Sequence, residues 1–65
     1  MVIRLVKWMF EEGARVTPGQ LVCVVESEKA TQEIEAPEGG ILRRLKREGE
    51  VIASPEDVPF RVEPA

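Results

Sequence analysis

The chain has no histidine and only one cysteine, and each scarcity removes a class of chemistry. Without imidazoles and with one thiol, a structural zinc site has no ligand set, and no metal ligands are assigned. Cys23 cannot close an internal disulfide and has no base to activate it. Within LVCVV it reads as a small buried apolar residue rather than a nucleophile. A lone thiol of that kind suits a reducing, intracellular setting. Long apolar runs are missing too, since none approaches the roughly 20 residues of a membrane-spanning helix. Charges interrupt MVIRLVKWMF and no small-residue cleavage site follows it, so it is not a signal peptide. The expectation is a soluble, cytoplasmic chain with no membrane partner. Nor is there an excess of base: 9 basic against 12 acidic residues give a formal charge of −3, which weighs against nucleic acid as a partner. The one basic cluster, Arg43, Arg44, Lys46 and Arg47, lacks interleaved aromatics. It is expected to be a solvated strand face, with docking to an acidic partner surface as its functional alternative.

What the chain does have is punctuation. Its 65 residues carry five glycines and five prolines, which leaves room for short elements only and favours an all-β domain. A domain of this size buries only about 60% of the surface its unfolded chain exposes, so its core is thin. The clearest strand is LVCVVE, residues 21–26, apolar on both faces and so expected between two layers. TQEIEA, residues 31–36, is a second and more polar strand in which Ile34 is the one strongly apolar contact. ESEKA, residues 26–30, lies between them, where a hairpin must reverse.

An internal repeat also runs through the chain. LVKWMFEEG (5–13) aligns with ILRRLKREG (41–49) at an offset of 36. Leu5 falls on Ile41, Val6 on Leu42, Met9 on Leu45, and Glu12-Gly13 on Glu48-Gly49. Val16 then answers Ile52, Pro18-Gly19 answers Ser54-Pro55, and LVCVV answers VPFRV. Two copies of one pattern predict two similar half-sheets about a pseudo-two-fold axis. ILRRLKREGE alone also fits a helix ending at Gly49. The strand reading prevails because the repeat ties it to a segment with Val6, Trp8 and Phe10. Trp8 and Phe10 are expected in the core or on a sheet face. Glu11-Glu12 is read as loop charge, and Gly13, Gly19, Gly40 and Gly49 as turn residues that tolerate positive φ.

Lys29 stands at the predicted reversal with Glu26 and Glu28 beside it. Such neighbours favour the ammonium form, the wrong direction for a nucleophile, which needs desolvation or a nearby cation. A hairpin tip does hold the amine clear of the sheets, where another protein can reach it. Lys29 is therefore a poor catalyst and a good handle for modification.

The run VVESEKATQEIEAPEGG resembles the lipoyl domains of 2-oxo acid dehydrogenase complexes, whose attachment lysine lies in a stretch like E-T-D-K-A followed by E-I-x-A-P. Upstream, WMFEEGARVTPGQLV resembles that family's W-x-V-x-E-G-D-x-V-x-x-G-x-x-L. Together they cover residues 8 to 41 in the expected order. The resemblance implies a flattened β-barrel, a barrel-sandwich hybrid of two four-stranded antiparallel sheets, with the modified lysine at a tight turn. It implies lipoate in amide linkage to Lys29, attached by a lipoate ligase or transferase that reads Glu26, Ser27, Glu28 and Ala30. It further implies a swinging arm that serves a thiamine-dependent dehydrogenase, an acyltransferase core and a dihydrolipoyl dehydrogenase, while the domain catalyses nothing itself. Loss of the lysine charge would leave Glu26, Glu28 and Glu33 as an acidic collar that steers partner choice.

Three departures qualify the match. Glu28 stands where Asp is usual, Ser27 where Thr is common, and the family's early Gly-Glu-Gly stretch has no counterpart. Two other readings stay open. A biotinyl carrier uses the same hairpin, but its lysine is flanked by methionines in A-M-K-M, where this chain has Glu28 and Ala30. An unmodified barrel-type interaction domain is the second. The glycine-cleavage carrier, with its E-S-x-K-A setting, is a variant within the lipoyl reading. The carrier domain is expected over residues 1–62, with 63–65 as a tail or the start of an Ala/Pro linker.

Overall fold

Seven strands make up the computed structural model, which describes residues 2–54 and 56–65. In chain order they are β1 (Ile3–Trp8), β2 (Arg15–Val16), β3 (Leu21–Glu26), β4 (Thr31–Glu35), β5 (Gly40–Arg44), β6 (Val51–Ile52) and β7 (Phe60–Glu63). They form two antiparallel sheets, one in the order β4-β3-β1-β6 and the other in the order β2-β5-β7. The all-β expectation therefore holds, and both LVCVVE and TQEIE are strands as read. ILRRLKREGE resolves in favour of strand, with β5 ending at Arg44. The last strand carries one residue beyond the boundary set at 62.

The apolar residues of both sheets meet in one core. Leu5, Trp8, Val16, Val22, Cys23, Val25, Ala36 and Leu42 are buried, and Leu5, Val22, Cys23 and Leu42 are completely so. Fully burying a side chain such as Leu5 or Leu42 contributes about 1.5–3 kcal/mol. Ile3, Phe10, Ile34, Ile52, Phe60 and Val62 pack around this group while remaining half-buried. β3 buries the adjacent residues Val22 and Cys23 because its pairing with β4 shifts register between Leu21 and Cys23. An extra residue there breaks the simple alternation and turns both side chains inward.

The pseudo-two-fold axis is visible in the hydrogen bonds. Gly13 N–H donates to the Leu42 carbonyl at 2.9 Å, and Gly49 N–H donates to the Leu5 carbonyl at 2.7 Å. Leu42 N–H donates to Ala14 O at 2.8 Å, and Leu5 N–H to Glu50 O at 2.9 Å. Met9 N–H to Val22 O is answered by Leu45 N–H to Pro59 O. One register needs correcting. Leu5 corresponds to Leu42 and not to Ile41, because β1 pairs with β3 through a bulge between Leu5 and Lys7. The bulged Val6 is 40% exposed, whereas Leu42, its expected match, is buried. The equivalence of Pro18-Gly19 with Ser54-Pro55 rests partly on Pro55, which lies outside the described residues. A second difference is that the sheets have four and three strands among the described residues. β4 pairs with β3, and among the described residues nothing takes the corresponding place beside β7.

Candidate functional site

The β3–β4 hairpin builds the site. Its last ladder pair is Glu26 with Thr31. Beyond it, Ser27 N–H donates to the Ala30 carbonyl at 2.8 Å, and the Ser27 hydroxyl reaches the same oxygen at a long 3.4 Å. That leaves Glu28 and Lys29 as a two-residue tip. Neither has positive φ, so the reversal is not one of the primed turns that call for glycine or asparagine. It is compatible with a type I turn, in which serine is favoured at the first position, and Ser27 occupies that place. The tip is anchored through β3, where Cys23 is fully buried and Val25 is 5% exposed. β4, by contrast, turns Thr31, Gln32, Glu33 and Glu35 to solvent, and its acids blunt an otherwise open sheet edge.

Of the chain's three lysines, Lys29 is the one at the tip of the β3–β4 hairpin. Lys46 is held by Asp57 at 2.9 Å, with its side chain 13% exposed. Lys7 lies within β1. Among the described residues no carboxylate lies within ion-pair distance of the Lys29 ammonium, Glu26 and Glu28 included. All three side chains are exposed, as are Ala30 and Glu33, while Ser27 is half-buried. The structure thus brings the five residues singled out in ESEKA to one end of one hairpin, with the amine free to be reached and to move.

The basic cluster corrects the expectation of a solvated face. Arg43 bonds Glu63 at 2.8 Å and Glu12 at 3.2 Å, and Arg44 lies 4.9 Å from the Trp8 ring centroid. Trp8 in turn meets Phe60 edge-on at 6.2 Å and donates its indole N–H to the Lys46 carbonyl. Arg43 and Arg44 tie the second half of the chain to Glu12 and Trp8 of the first, while Lys46 pairs with Asp57 within the second. A shallow depression of about 800 Å³ lies beside them, lined by Glu12, Arg44, Leu45, Lys46, Arg47 and Glu50. It lies at the Trp8 end of β1, whereas the hairpin tip extends beyond the Ile3 end. It is remote from Lys29.

Glu12 is more than a loop charge. Its carboxylate accepts the Arg44 backbone N–H at 2.6 Å, and Glu48 accepts the Trp8 N–H at 2.9 Å across the pseudo-two-fold axis. The Arg44 amide bond, followed by the Arg43 side chain, holds the Glu12 carboxyl below its ordinary value. The offset that matched Glu12 with Glu48 also matches Trp8 with Arg44, so the repeat contained this signal. Cys23 sits in the core with its thiol pushed up to about 11 by burial, which keeps it neutral and inert.

Comparison with known proteins gives a consistent result. The biotin/lipoyl family model, described as "Biotin-requiring enzyme", matches residues 1–58. The chain is 40% identical over 57 residues to the dihydrolipoyllysine-residue acetyltransferase component 2 of the pyruvate dehydrogenase complex of Arabidopsis thaliana, covering 75% of this chain and 11% of that protein. Component 3 from the same plant is 44% identical over 46 residues, covering 69% of this chain and 8% of that protein. The corresponding component of Rickettsia felis is 42% identical over 41 residues, covering 63% of this chain and 10% of that protein. The chain spans about a tenth of the length of these curated relatives.

Proposed function

Because the chain belongs to the biotin/lipoyl family, we propose that it is a swinging-arm carrier domain of a 2-oxo acid dehydrogenase complex, with lipoate in amide linkage on Lys29. One observation carries this reading: Lys29 occupies a two-residue hairpin tip, exposed and without an ion-pair partner among the described residues, on a strand anchored in the core. Lipoate held at that amine would supply a dithiolane able to carry an acyl group and electrons between a thiamine-dependent dehydrogenase, an acyltransferase core that uses coenzyme A, and a dihydrolipoyl dehydrogenase.

The chain's own residues position and identify the amine. Ser27 and Ala30 close the turn, which fixes where Lys29 leaves the backbone. Glu26 and Glu28 flank it in the open, where a lipoate ligase or transferase reads them together with Ser27 and Ala30. Amide formation removes the lysine charge and leaves Glu26, Glu28 and Glu33 as fixed negative charges on the hairpin. Charges of that kind steer encounter with a basic partner surface more than they add affinity. The relatives are components of pyruvate dehydrogenase complexes, which supports pyruvate as the oxo acid served. The buried, inert thiol of Cys23 suits a reducing cytoplasmic setting.

Biotin is the second reading, since the family model takes its description from biotin-requiring enzymes. The flanks of Lys29 favour lipoate, because Glu28 and Ala30 stand where biotin carriers have methionine. Incubation of the chain with lipoate ligase and, separately, with biotin ligase tests the choice by intact mass. A gain of one lipoyl amide, absent in Lys29→Ala, is expected. A biotinyl gain alone would exchange the cofactor, and no gain from competent enzymes would leave an unmodified interaction domain.

A further inference from the structure

The basic turn after β5 carries more charge than its fold requires. Its pseudo-two-fold counterpart is the turn after β1, and the two are built alike. Glu50 N–H donates to the Arg47 carbonyl at 3.1 Å, as Ala14 N–H does to the Glu11 carbonyl. Glu48 and Glu12 each accept a backbone N–H from the other half, and Gly49 and Gly13 follow them with positive φ. Leu45 and Met9 match as well, at 51% and 43% exposed. What differs is the charge at one position, since Arg47 stands where the first half has Glu11. A turn that closes equally well on either sign has no structural need of the guanidinium.

Arg47 is exposed, and among the described residues no carboxylate lies within ion-pair distance of it or of Arg44. Arg44 lies over the Trp8 ring, and its side chain donates to the Phe10 carbonyl at a long 3.4 Å. A guanidinium stacked on a ring keeps its in-plane donors for a carboxylate. The acids of the same depression are already engaged, Glu12 by Arg43 and the Arg44 amide, Glu50 by the Arg47 amide. Lys46 is neutralised by Asp57. The depression of about 800 Å³ therefore presents two guanidinium groups without carboxylate partners beside an exposed leucine.

We propose that this depression docks an acidic segment of a partner protein, whose carboxylates meet Arg44 and Arg47 and whose adjoining apolar side chain covers Leu45. A protein segment fits better than a nucleic acid. Glu12 and Glu50 would repel a continuous run of phosphates, and the net charge of −3 opposes a long polyanion. A carboxylate next to an apolar residue answers both features at once. Contacts of this kind give register and encounter rate more than affinity, and they weaken with salt. The site lies at the Trp8 end of β1, away from the hairpin tip, so a docked chain keeps Lys29 open to its enzymes. The inference is independent of what Lys29 carries.

Amide shifts of the isotope-labelled full chain, followed while a short Glu-Leu peptide is added at low salt, test it. Shifts should concentrate at Leu45–Glu50 and at the Trp8 indole N–H, and should fade as salt is added. Arg47→Glu places at this turn the sign that Glu11 has in the other half, so it should fold normally and lose the shifts. Leu45→Ser should weaken them. Arg15→Glu makes the same change of net charge on β2, outside the depression, and should leave them intact. If Arg47→Glu fails to fold, as read by its urea midpoint, Arg47→Gln takes its place. No shift at Leu45–Glu50 would overturn the proposal. So would an equal loss in Arg15→Glu, which would reduce the effect to net charge, or tighter binding of a single-stranded oligonucleotide at the same residues.

Discussion

Gly40 is where a single methyl group should do the most damage. It opens β5 opposite Val16 of β2, with φ at +152°, a conformation L side chains rarely adopt. A Cβ there would fall well inside contact distance of the Glu63 carbonyl oxygen and press on the Val62 side chain. The obstacle is mostly backbone of β7, which cannot swing aside as a flexible side chain would. Backbone strain costs about 1–3 kcal/mol, and forcing extra volume into a packed site costs about 1–3 kcal/mol more. Gly40→Ala should therefore lose about 3–5 kcal/mol, against a total of roughly 3–10 kcal/mol for a domain this small. With a urea slope near 1 kcal/mol per molar, the midpoint should fall by about 3–5 M, or the chain should already be unfolded in buffer. Gly13→Ala is the control. Gly13 also has positive φ, +84°, but nothing lies within 4 Å of the added carbon, so only backbone strain of about 1 kcal/mol applies. Urea titration of both variants, followed by Trp8 fluorescence, separates the two terms. If Gly40→Ala costs no more than Gly13→Ala, the close approach of β7 to β5 is wrong.

Other consequences can be checked in the same way. The Cys23 thiol, raised by burial from 9.0 to about 11, should resist alkylation until the domain unfolds. Its contribution to stability is complete below pH 9.0 and is lost as pH rises towards about 11, because the unfolded thiol ionises first. Urea midpoints should drop across that window, and Cys23→Ala should flatten the drop. At the acid end, the carboxyls of Glu12, Asp57 and Glu63 are lowered chiefly by the Arg44 amide, the Ala53 amide and the Arg43 guanidinium, respectively. Their stabilisation is present above the ordinary values of 4.5, 3.8 and 4.5 and is lost as pH falls through the lowered ones. Glu12→Gln should therefore destabilise at neutral pH and less so in acid, as followed by circular dichroism.

Much of this was legible in the letters because short-range rules governed it. The apolar run 21–26, the glycine and proline punctuation and the charged ESEKA turn each specify local structure without help from the rest of the chain. The repeat carried the pseudo-symmetry, and with it the strand assignment of 40–44 against a competing helical periodicity. What escaped notice depended on pairing across the molecule. The bulge at Val6 shifts the repeat by one residue, and no spacing rule announces a bulge. Glu12 and Glu48 look like turn charges until the second half folds over and presents a backbone N–H to each. Arg43 and Arg44 look solvated until Glu63, Glu12 and the Trp8 ring are brought beside them.

Localising the modification decides the central claim. After incubation with lipoate ligase, fragment mass spectra should place a single lipoyl amide on Lys29 and none on Lys7 or Lys46. Modification spread over the three lysines, or found at Lys7 or Lys46 with Lys29 untouched, would contradict the account.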